Sequence, residues 1–383
     1  MRVVVVTPIP TPYRDPFWDC FAQQEDVELT VIYCSTGRSD RPWRDDATNG
    51  HYRRLFPKTR NLMSYAGWGA SCYWTPGIPR LLAELNPDVV LLGGYNHVTM
   101  LSAAKHCRRQ GIPFFLMCET WRQRGGVRGA VKHWLIRRWL RNAAGALPTG
   151  SLASAYLESL GVPAARQCRL PNVPDIESLE SYSKTSAGDR SAHRERLGVK
   201  PDSHVVLYAA RMVPKKRPDV VLDAFSRLDA RTETRLVMLG DGPDLTTIQA
   251  RAKELSCQDR VDFKGFVEPG VVHEWMVAAD VFVQPSSETW GVAPIESVAC
   301  GCPVILSREI GCHADLLSNE SDGVVLESVE PDNLARAIAV TLERGRIDRG
   351  DCADSHWIQR NRYTVLAERL CVFLKQRIRG GDR

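Results

Sequence analysis

Short apolar runs alternate with helical segments along nearly the whole chain, and this alternation limits the possible folds more than any other feature. A strand that is apolar on both sides must be buried on both faces, and the intervening helical segments supply the cover. The sequence therefore predicts an α/β protein with parallel sheets. The runs predicted as strands are Val3–Val6, Glu28–Tyr33, Val89–Leu92, Phe114–Met117, Gly145–Pro148, Val205–Ala209, Arg235–Leu239, Val261–Lys264, Val281–Gln284 and Val304–Ser307.

The alternation occurs twice, before and after a polar stretch at Ser178–Ser203 that lacks apolar periodicity. A chain of 383 residues is long enough for two domains of ordinary size. We therefore expect a first doubly wound domain at residues 1–175, a linker at 176–200 and a second doubly wound domain at 201–352. A last helical segment, at about His356–Arg377, can pack on either domain.

Charge is unevenly placed along the chain. Residues 1–184 contain 23 Lys and Arg against 15 Asp and Glu, whereas the remainder contains 27 against 30. A basic first half can meet a phosphate-bearing molecule, an anionic membrane face or nucleic acid. Nucleic acid is disfavoured because no RNA- or DNA-binding motif is present.

Several other classes of protein are excluded or disfavoured. No apolar run approaches the roughly 18–20 residues of a membrane span, and Met1–Pro10 is too short for the apolar region of a signal peptide. The twelve cysteines are scattered without a Cys-x-x-Cys pair, which favours reduced thiols and a cytoplasmic location. The chain has no P-loop motif, and Gly240-x-Gly242 lacks the third glycine of a dinucleotide site.

Polar and charged residues gather where three strands of the second domain end. Arg211 and Lys216 follow one strand, the turn Gly240-Asp241-Gly242-Pro243 follows another, and Glu288 follows a third. A helix predicted at Val292–Cys300 comes next and carries Glu296. Ligands of open α/β sheets bind at the carboxyl ends of the strands, and two cations can offset the charge of a nucleoside diphosphate. Each feature alone can be an ordinary turn or helix start, but their order at three strand ends predicts an anion-binding site that suits a nucleoside diphosphate.

With these residues the chain resembles the retaining glycosyltransferases of family 4, also called group 1, which have the GT-B fold. The resemblance is most specific over residues 205–327, and a looser similarity covers the first domain. It implies two Rossmann-like domains that face each other across a cleft, with the donor on the second domain and the acceptor on the first. It also implies that residues 353–383 form a crossover helix that packs back toward the first domain.

The resemblance implies a role for each matching residue. Arg211 and Lys216 would hold the donor diphosphate, Glu288 the sugar hydroxyls and Glu296 the ribose, while Glu119 would lie near the reacting sugar. No cofactor and no metal are implied; the donor would be a UDP- or GDP-sugar. The other residues implied to contact the donor are Gly240, Asp241, Gly242, Lys264, Gly265, Phe266, Thr289, Trp290, Gly291 and Val292.

The chain departs from the family pattern at three points, and one of them is Glu119, which stands where many members carry a histidine close to the reacting sugar. Ala210 stands where the family usually has glycine before the arginine. A proline-containing segment, Thr7–Pro12, replaces the glycine-rich loop after the first strand, which leaves donor contacts from that loop open.

The sequence gives weaker indications of the acceptor site than of the donor site. Candidate residues for acceptor contact are Tyr13, Arg14, Asn96, His97, Arg122 and Arg124. The basic, tryptophan-bearing segment 121–141 has two interpretations: a helix that lies on an anionic membrane face, or an ordinary helix that packs Val131, Leu135 and Trp139 inward. Membrane contact would suit a lipid-linked or polysaccharide acceptor at the cytoplasmic membrane face.

Two other functions stay open at this point. A catalytically inactive scaffold subunit can bind a nucleotide sugar with the same residues, and a sugar-nucleotide epimerase or a phosphorylase can share the architecture. Turnover with retention would separate an enzyme from a scaffold, and release of free nucleotide would separate a transferase from an epimerase.

Overall fold

The computed structural model describes residues 1–36, 50–64, 71–122, 126–185, 190–229, 233–317, 322–347 and 356–379. The chain divides into two compact units. The first comprises Met1–Val173 with Asn361–Arg383, and the second comprises Pro174–Arg360. Among the described helices, none combines the length and the apolar composition that crossing a lipid bilayer requires.

The first unit is built on a fully parallel sheet with the strand order β3-β2-β1-β6-β7-β8. A separate antiparallel pair joins β4 to β5. The strands are β1 (Arg2–Thr7), β2 (Glu28–Tyr33), β3 (Arg53–Leu55), β4 (Arg60–Ser64), β5 (Ser71–Trp74), β6 (Val89–Gly93), β7 (Phe114–Cys118) and β8 (Gly145–Pro148). The helices are α1 (Asp15–Ala22), α2 (Ile78–Leu85), α3 (Val98–Gln110), α4 (Gly126–Leu140) and α5 (Ser151–Ser159).

The second unit repeats the same strand order, as β11-β10-β9-β12-β13-β14, and is also fully parallel. Its strands are β9 (His204–Ala209), β10 (Thr234–Leu239), β11 (Val261–Gly265), β12 (Val281–Gln284), β13 (Val304–Ser307) and β14 (Gly323–Leu326). Its helices are α6 (Ile176–Thr185), α7 (Arg190–Arg196), α8 (Pro218–Ser226), α9 (Leu245–Glu254), α10 (Pro269–Ala278), α11 (Ala293–Ala299), α12 (His313–Leu316), α13 (Pro331–Arg344) and α14 (His356–Gln359).

Burial on both faces explains why the central strands could be predicted. Val3–Val6 in β1 and Val205–Tyr208 in β9 are almost completely inaccessible to solvent. Each β-strand that the sequence predicts is present, with each end within one residue of its expected position. The predicted class, two doubly wound Rossmann-like domains, is therefore confirmed.

The sequence did not predict the edge strands β3 and β14 or the antiparallel pair β4 and β5. β3 is only three residues long and contains two arginines, which an edge strand tolerates, so it lacks an apolar run. In β3, Arg54 is held by an ion pair of 3.1 Å to Asp15 on α1 and stacks over Tyr33. In β14, Val324 and Val325 are only half-buried.

Residues 176–200 differ from the expected linker. They include the helices α6 and α7, which belong to the second unit. Arg194 on α7 is buried and donates to the carbonyl of Ala278, and it forms an ion pair of 3.4 Å with Asp280. Arg190 also donates to the Ala278 carbonyl, so two arginines attach α7 to the end of α10.

The C-terminal helix, α15 (Tyr363–Arg379), belongs to the first unit. It packs beside α1, where the Tyr363 hydroxyl donates to the carbonyls of Tyr13 and Val173 at 3.1 and 3.0 Å. Phe373 lies edge-on to Phe115 of β7, with 5.5 Å between the ring centroids. These contacts fix the last helix on the first Rossmann-like sheet.

Candidate functional site

The polar strand ends of the second unit meet at the point where its strand order reverses. β9 lies between β10 and β12, so right-handed crossovers after β9 and β12 run on opposite faces of the sheet. Such a switch point leaves a crevice at the carboxyl edge, which is where open α/β sheets bind ligands. Lys216 lies in the loop after β9, and Glu288 lies in the loop after β12.

Lys216 and Glu288 form an ion pair, with 2.5 Å between Nζ and Oε1. Gln284 Nε2 and Ser286 Oγ donate to the same carboxylate oxygen, at 2.5 and 2.6 Å. Backbone bonds hold the Glu288 loop: its N–H donates to the Glu309 carbonyl, and its own carbonyl accepts from the Gly311 N–H. The carboxylate is therefore held in one place before any ligand arrives.

The pKa of Glu288 lies below its ordinary value although the group is largely buried. Burial acts to raise this pKa because it disfavours the charged form. The Lys216 ammonium and the hydrogen bonds from Lys216, Ser286 and Gln284 outweigh burial and lower it. Glu288 is therefore a carboxylate at neutral pH, able to accept hydrogen bonds from a ligand.

The glycine turn after β10 supports the loop that carries Arg211. Gly240 and Gly242 have φ angles of +123° and +154°. A Cβ at these positions would lie 2.0 Å from the Ala210 carbonyl oxygen and 2.4 Å from that of Met212, respectively. The Asp241 carbonyl accepts from the Met212 N–H. Only glycine permits this close backbone approach, and Arg211 is presented on the exposed side of the loop.

The segment from Thr289 to Val292 leads from Glu288 into α11. Trp290 is buried and lies 6.2 Å from Trp357, measured between ring centroids. Gly291 has a φ of +109°, and a Cβ there would lie 2.6 Å from the Ile310 Cδ1 atom. Thr289 is exposed, and Val292 is the residue before the first turn of α11.

Glu296 lies in the first turn of α11 and is half-buried. His273 on α10 approaches it, with 3.4 Å between Nε2 and Oε1. The sequence analysis did not single out His273. Its signal was weak because a lone histidine in a helical segment resembles any packed residue.

The end of β11 presents an aromatic side chain to solvent. Phe266 is 61 % exposed, and it follows Gly265, whose φ is +65°. Lys264 lies over the Trp275 ring at 5.7 Å from its centroid. These residues form the outer part of the same carboxyl edge, next to the glycine turn, because the Gly240 N–H donates to the Gly265 carbonyl.

In the first unit, the charge of Glu119 acts on the Arg14 guanidinium. Burial lowers the pKa of Arg14 to about 10, and Glu119 opposes that effect. Arg14 donates to the Leu170 carbonyl at 2.8 Å, and Glu119 accepts from the buried Asn172 amide at 2.7 Å. Glu119 is exposed at the carboxyl end of β7. The structure thus places a half-buried cation and an exposed anion at the expected acceptor edge.

The other acceptor candidates differ in their settings. His97 precedes α3, and its Nδ1 accepts from the Tyr73 N–H at 3.3 Å. Asn96 is exposed, and its carbonyl lies 3.7 Å from the Cys72 Sγ. Tyr13 is half-buried and accepts from Tyr363. Arg122 lies over the Trp121 ring at 4.3 Å. Arg124 lies outside the described residues.

Helix α4 packs Trp139 against the core of the first unit, as the packed-helix interpretation expected, but it does not bury Leu135. Leu135 is 53 % exposed and its neighbour Trp134 is 57 % exposed. The buried residues are instead Ile136 and Leu140, and Trp139 contacts Phe114. The buried face includes Ile136 where the interpretation expected Leu135, so Leu135 lies in solvent. The side chain of Val131 lies outside the described part of the helix.

Two members of the Glu288 network, Gln284 and Ser286, were missed by sequence reasoning. Gln284 was assigned to a buried strand and Ser286 to the following loop. The available signal was a polar amide at the end of an otherwise apolar run. Within the described ranges, His, Cys, Asp and Glu side chains form no group of three or more that could hold a metal ion, and the described cysteines are free thiols.

Comparison with known proteins identifies the class to which this fold and site belong. The model of the group 1 glycosyl transferases matches residues 189–354. The model of the glycosyl transferase 4-like domain matches residues 1–173. The chain belongs to the group 1 glycosyltransferases, as the resemblance predicted, and its two Rossmann-like domains are those of the GT-B class.

Curated relatives cover different shares of the chain. D-inositol 3-phosphate glycosyltransferase 2 of Catenulispora acidiphila is 35 % identical over 167 residues, which is 41 % of this chain and 39 % of the relative. The chain thus matches about two fifths of that relative's length. The GDP-mannose-dependent alpha-(1-6)-phosphatidylinositol monomannoside mannosyltransferase of Mycobacterium tuberculosis is 26 % identical over 307 residues, or 77 % of this chain and 78 % of the relative.

Solved structures share the fold at low sequence identity. HepE of Anabaena, solved in complex with UDP, superposes with a TM-score of 0.71 at 17 % identity and covers 98 % of both chains. A glycosyltransferase of Rickettsia africae gives a TM-score of 0.73 at 12 % identity over 99 % of both chains.

Proposed function

We propose that this protein transfers a sugar from a nucleoside-diphosphate sugar to an acceptor hydroxyl and that the new bond keeps the anomeric configuration of the donor. One observation carries the proposal: Lys216 and a deprotonated, pre-positioned Glu288 lie together at the switch point of the second unit. A cation for a diphosphate and an anion for sugar hydroxyls are then available within one crevice.

The donor would lie along the carboxyl edge of the second sheet. Arg211 and Lys216 would bind the diphosphate, and Glu288 would accept hydrogen bonds from the sugar. Glu296 would bind the ribose, and the segment Lys264–Phe266 would hold the base. HepE has been solved with UDP and with UDP-glucose, and the mycobacterial relative is named for GDP-mannose, so UDP- and GDP-sugars are the donors to test.

The chemistry follows from where charge develops. The transition state resembles an oxocarbenium ion, with positive charge on the sugar and negative charge on the departing phosphate. Arg211 and Lys216 would stabilise the departing phosphate as fixed positive charges, which assigns no role to a metal ion. The leaving phosphate would accept the proton of the acceptor hydroxyl on the face from which it departs. Glu288 would then position the donor, without acting as a base.

The acceptor would bind to the first unit, and its chemistry would include phosphate or another anion. Residues 1–184, which include residues 1–173 of this unit, contain 23 Lys and Arg against 15 Asp and Glu. The relatives are named for an inositol phosphate and for a phosphatidylinositol monomannoside, both of which carry phosphate. Glu119, exposed after β7, would orient the hydroxyl, and Arg14 lies in its field.

Contact with an anionic membrane would bring a lipid-linked acceptor to this unit. Helix α4 exposes Trp134 and Leu135 next to the exposed cations Arg137 and Arg138. An aromatic and an aliphatic side chain can enter the interfacial region while the arginines bind lipid phosphates. The exposed face thus supports membrane contact by a helix that also packs Ile136 and Leu140 in the core of the first unit.

The test begins with thermal unfolding of the protein in the presence of UDP, GDP, ADP and TDP, each with and without EDTA. A nucleotide that binds the folded state raises stability by about 2.7 kcal/mol at a hundredfold excess over its dissociation constant. We expect one nucleotide to raise the midpoint equally with and without EDTA. The corresponding nucleotide sugar is then supplied with candidate acceptors, and the anomeric configuration of the product is read by NMR. Product of inverted configuration, or binding without turnover, would overturn the proposal.

A further inference from the structure

In the part of the chain that the structure describes, each hydrogen bond to the Glu288 side chain reaches the same one of its two oxygens. Lys216, Gln284 and Ser286 each donate to Oε1. Among the described residues no hydrogen bond is made to Oε2. One oxygen is therefore fixed by the protein, and the second is left for a ligand.

Under the proposed function, Lys216 has two anionic partners: the Glu288 carboxylate and the donor diphosphate. Without ligand its ammonium contacts Glu288, whereas with donor it would contact the diphosphate. Any movement of Lys216 toward phosphate removes the strongest stabiliser of the Glu288 charge. A largely buried carboxylate that loses its counter-charge becomes easier to protonate, and a protonated Glu288 would accept sugar hydroxyls poorly.

Gln284 and Ser286 are built to stay in place when Lys216 moves. Gln284 is 2 % exposed at the end of β12, and Ser286 is 0 % exposed in the following loop. The Ser286 carbonyl accepts from the Ser307 hydroxyl of β13 at 2.5 Å, which ties the loop to the neighbouring strand. The Gln284 amide also donates to the Ser286 hydroxyl at 3.3 Å. Neither side chain can leave without breaking buried contacts.

We propose that Gln284 and Ser286 are positioning residues that keep Glu288 ionised and its second oxygen directed to the donor sugar while Lys216 binds the diphosphate. This assignment rests on the proposed function, since it presumes a diphosphate that draws Lys216 away. It requires no covalent step and no proton transfer. It states that the two neutral donors remain on the Glu288 carboxylate when the ammonium moves to the diphosphate.

Other titratable groups also face Glu288. Tyr208 of β9 and Cys312 before α12 both have raised pKa values, chiefly through burial, and the Glu288 charge adds to the rise in each. Both groups are therefore neutral in the range where Glu288 titrates. Glu309, on the adjacent segment, is paired with Arg217 at 2.6 Å. The titration of Glu288 thus reports mainly on Lys216, Gln284 and Ser286.

The experiment follows the Glu288 carboxyl directly by NMR of protein labelled with ¹³C at the glutamate side-chain carboxyl, with the signal assigned by its loss in Glu288→Gln. The variants Ser286→Ala and Gln284→Met each remove one neutral donor. Ser297→Ala is the matched control, because Ser297 is a buried serine whose hydroxyl donates to the Cys302 carbonyl. Circular dichroism and thermal unfolding identify which variants fold, and two variants keep the test available if one does not.

Two conditions separate this inference from the proposed function. In the first, UDP or GDP saturates the protein; in the second, Lys216→Ala removes the ammonium without any ligand. In both conditions we expect the titration midpoint of Glu288 to lie at higher pH in Ser286→Ala and Gln284→Met than in the parent protein and in Ser297→Ala. We also expect the acid limb of the pH–turnover profile to move in the same direction.

The Lys216→Ala background decides the positioning role. If adding Ser286→Ala or Gln284→Met to Lys216→Ala leaves the titration midpoint of Glu288 unchanged, the positioning role is wrong, whichever nucleotides bind. A second outcome is that neither UDP nor GDP binds, while both substitutions raise the Glu288 midpoint in the Lys216→Ala background. That result would overturn the donor assignment and leave the role of Gln284 and Ser286 in holding Glu288 intact.

Discussion

Lys216 and Glu288 are 72 residues apart in sequence, yet 2.5 Å separates the ammonium nitrogen from the carboxylate oxygen. The meeting is produced by β9 and β12, which pair as neighbours in the second sheet although β10 and β11 lie between them in sequence. The crossover brings two strand-end loops to one crevice, and the charges in those loops define the candidate donor site.

The diphosphate assignment predicts a loss of nucleotide affinity. Alanine at Arg211 or at Lys216 should weaken binding of the nucleotide identified by thermal unfolding by about 1.5–3 kcal/mol, as expected for hydrogen bonds to charged groups. Isothermal titration calorimetry measures the change. Lys215→Ala is the matched control, because Lys215 is an exposed neighbour in the same turn. Unchanged affinity in both variants would remove these residues from the site.

The sugar assignment predicts a division between turnover and binding. Glu288→Gln should lower the turnover number far more than it weakens binding of the free nucleotide, because the nucleotide lacks the sugar that Glu288 would contact. Steady-state kinetics and calorimetry give the two quantities. Glu309→Gln removes a nearby carboxylate that pairs with Arg217 and should spare turnover. Equal losses of turnover and binding in Glu288→Gln would place Glu288 on another part of the ligand.

The close backbone approach at the glycine turn predicts a loss of stability. Gly240→Ala would put a Cβ 2.0 Å from the Ala210 carbonyl oxygen at a φ of +123°. The unfavourable backbone conformation alone costs about 1–3 kcal/mol, so the free energy of unfolding should fall by at least that amount in urea denaturation. Gly270→Ala is the control, since a Cβ there meets nothing within 4 Å. An unchanged free energy of unfolding in Gly240→Ala would show that the loop before Arg211 can relax.

The lowered pKa of Glu288 predicts a pH-dependent contribution to stability. A carboxyl whose pKa is lower in the folded than in the unfolded protein stabilises the fold above its unfolded pKa, near 4.5. That contribution disappears as the pH falls through the folded pKa. The stability of the parent protein relative to Glu288→Gln should therefore be largest at neutral pH and shrink below about pH 4.5. Urea denaturation of both proteins across this range measures it, and a constant difference would contradict the pairing with Lys216.

The exposed face of α4 predicts binding to anionic vesicles. Sedimentation with vesicles that contain phosphatidylglycerol should carry the protein down at low salt and release it at high salt, because the arginines act through screened charge. Replacing Trp134 and Leu135 by alanine should abolish the binding. Leu101→Ala on α3 is the control, because Leu101 is also exposed on the first unit. Equal sedimentation of the two variants would contradict a membrane role for α4.

The sequence by itself determined the central strands and the residues that follow them. A strand buried on both faces must be apolar throughout, so β1, β6, β9 and β12 appear in the sequence as continuous runs. The chain direction of a parallel sheet then places Arg211, Lys216 and Glu288 at one edge before any coordinates are known. Local sequence suffices for this part because the constraint, burial on two faces, acts on each strand separately.

Only the tertiary structure decided which side chains touch. The contact of Lys216 with Glu288 and the approach of His273 to Glu296 both depend on partners that lie on another element. The same holds for Leu135, whose exposure depends on a one-residue choice of buried face in α4. Hydrogen bonds and helix faces are set by packing between elements, and periodicity along one element cannot specify that packing.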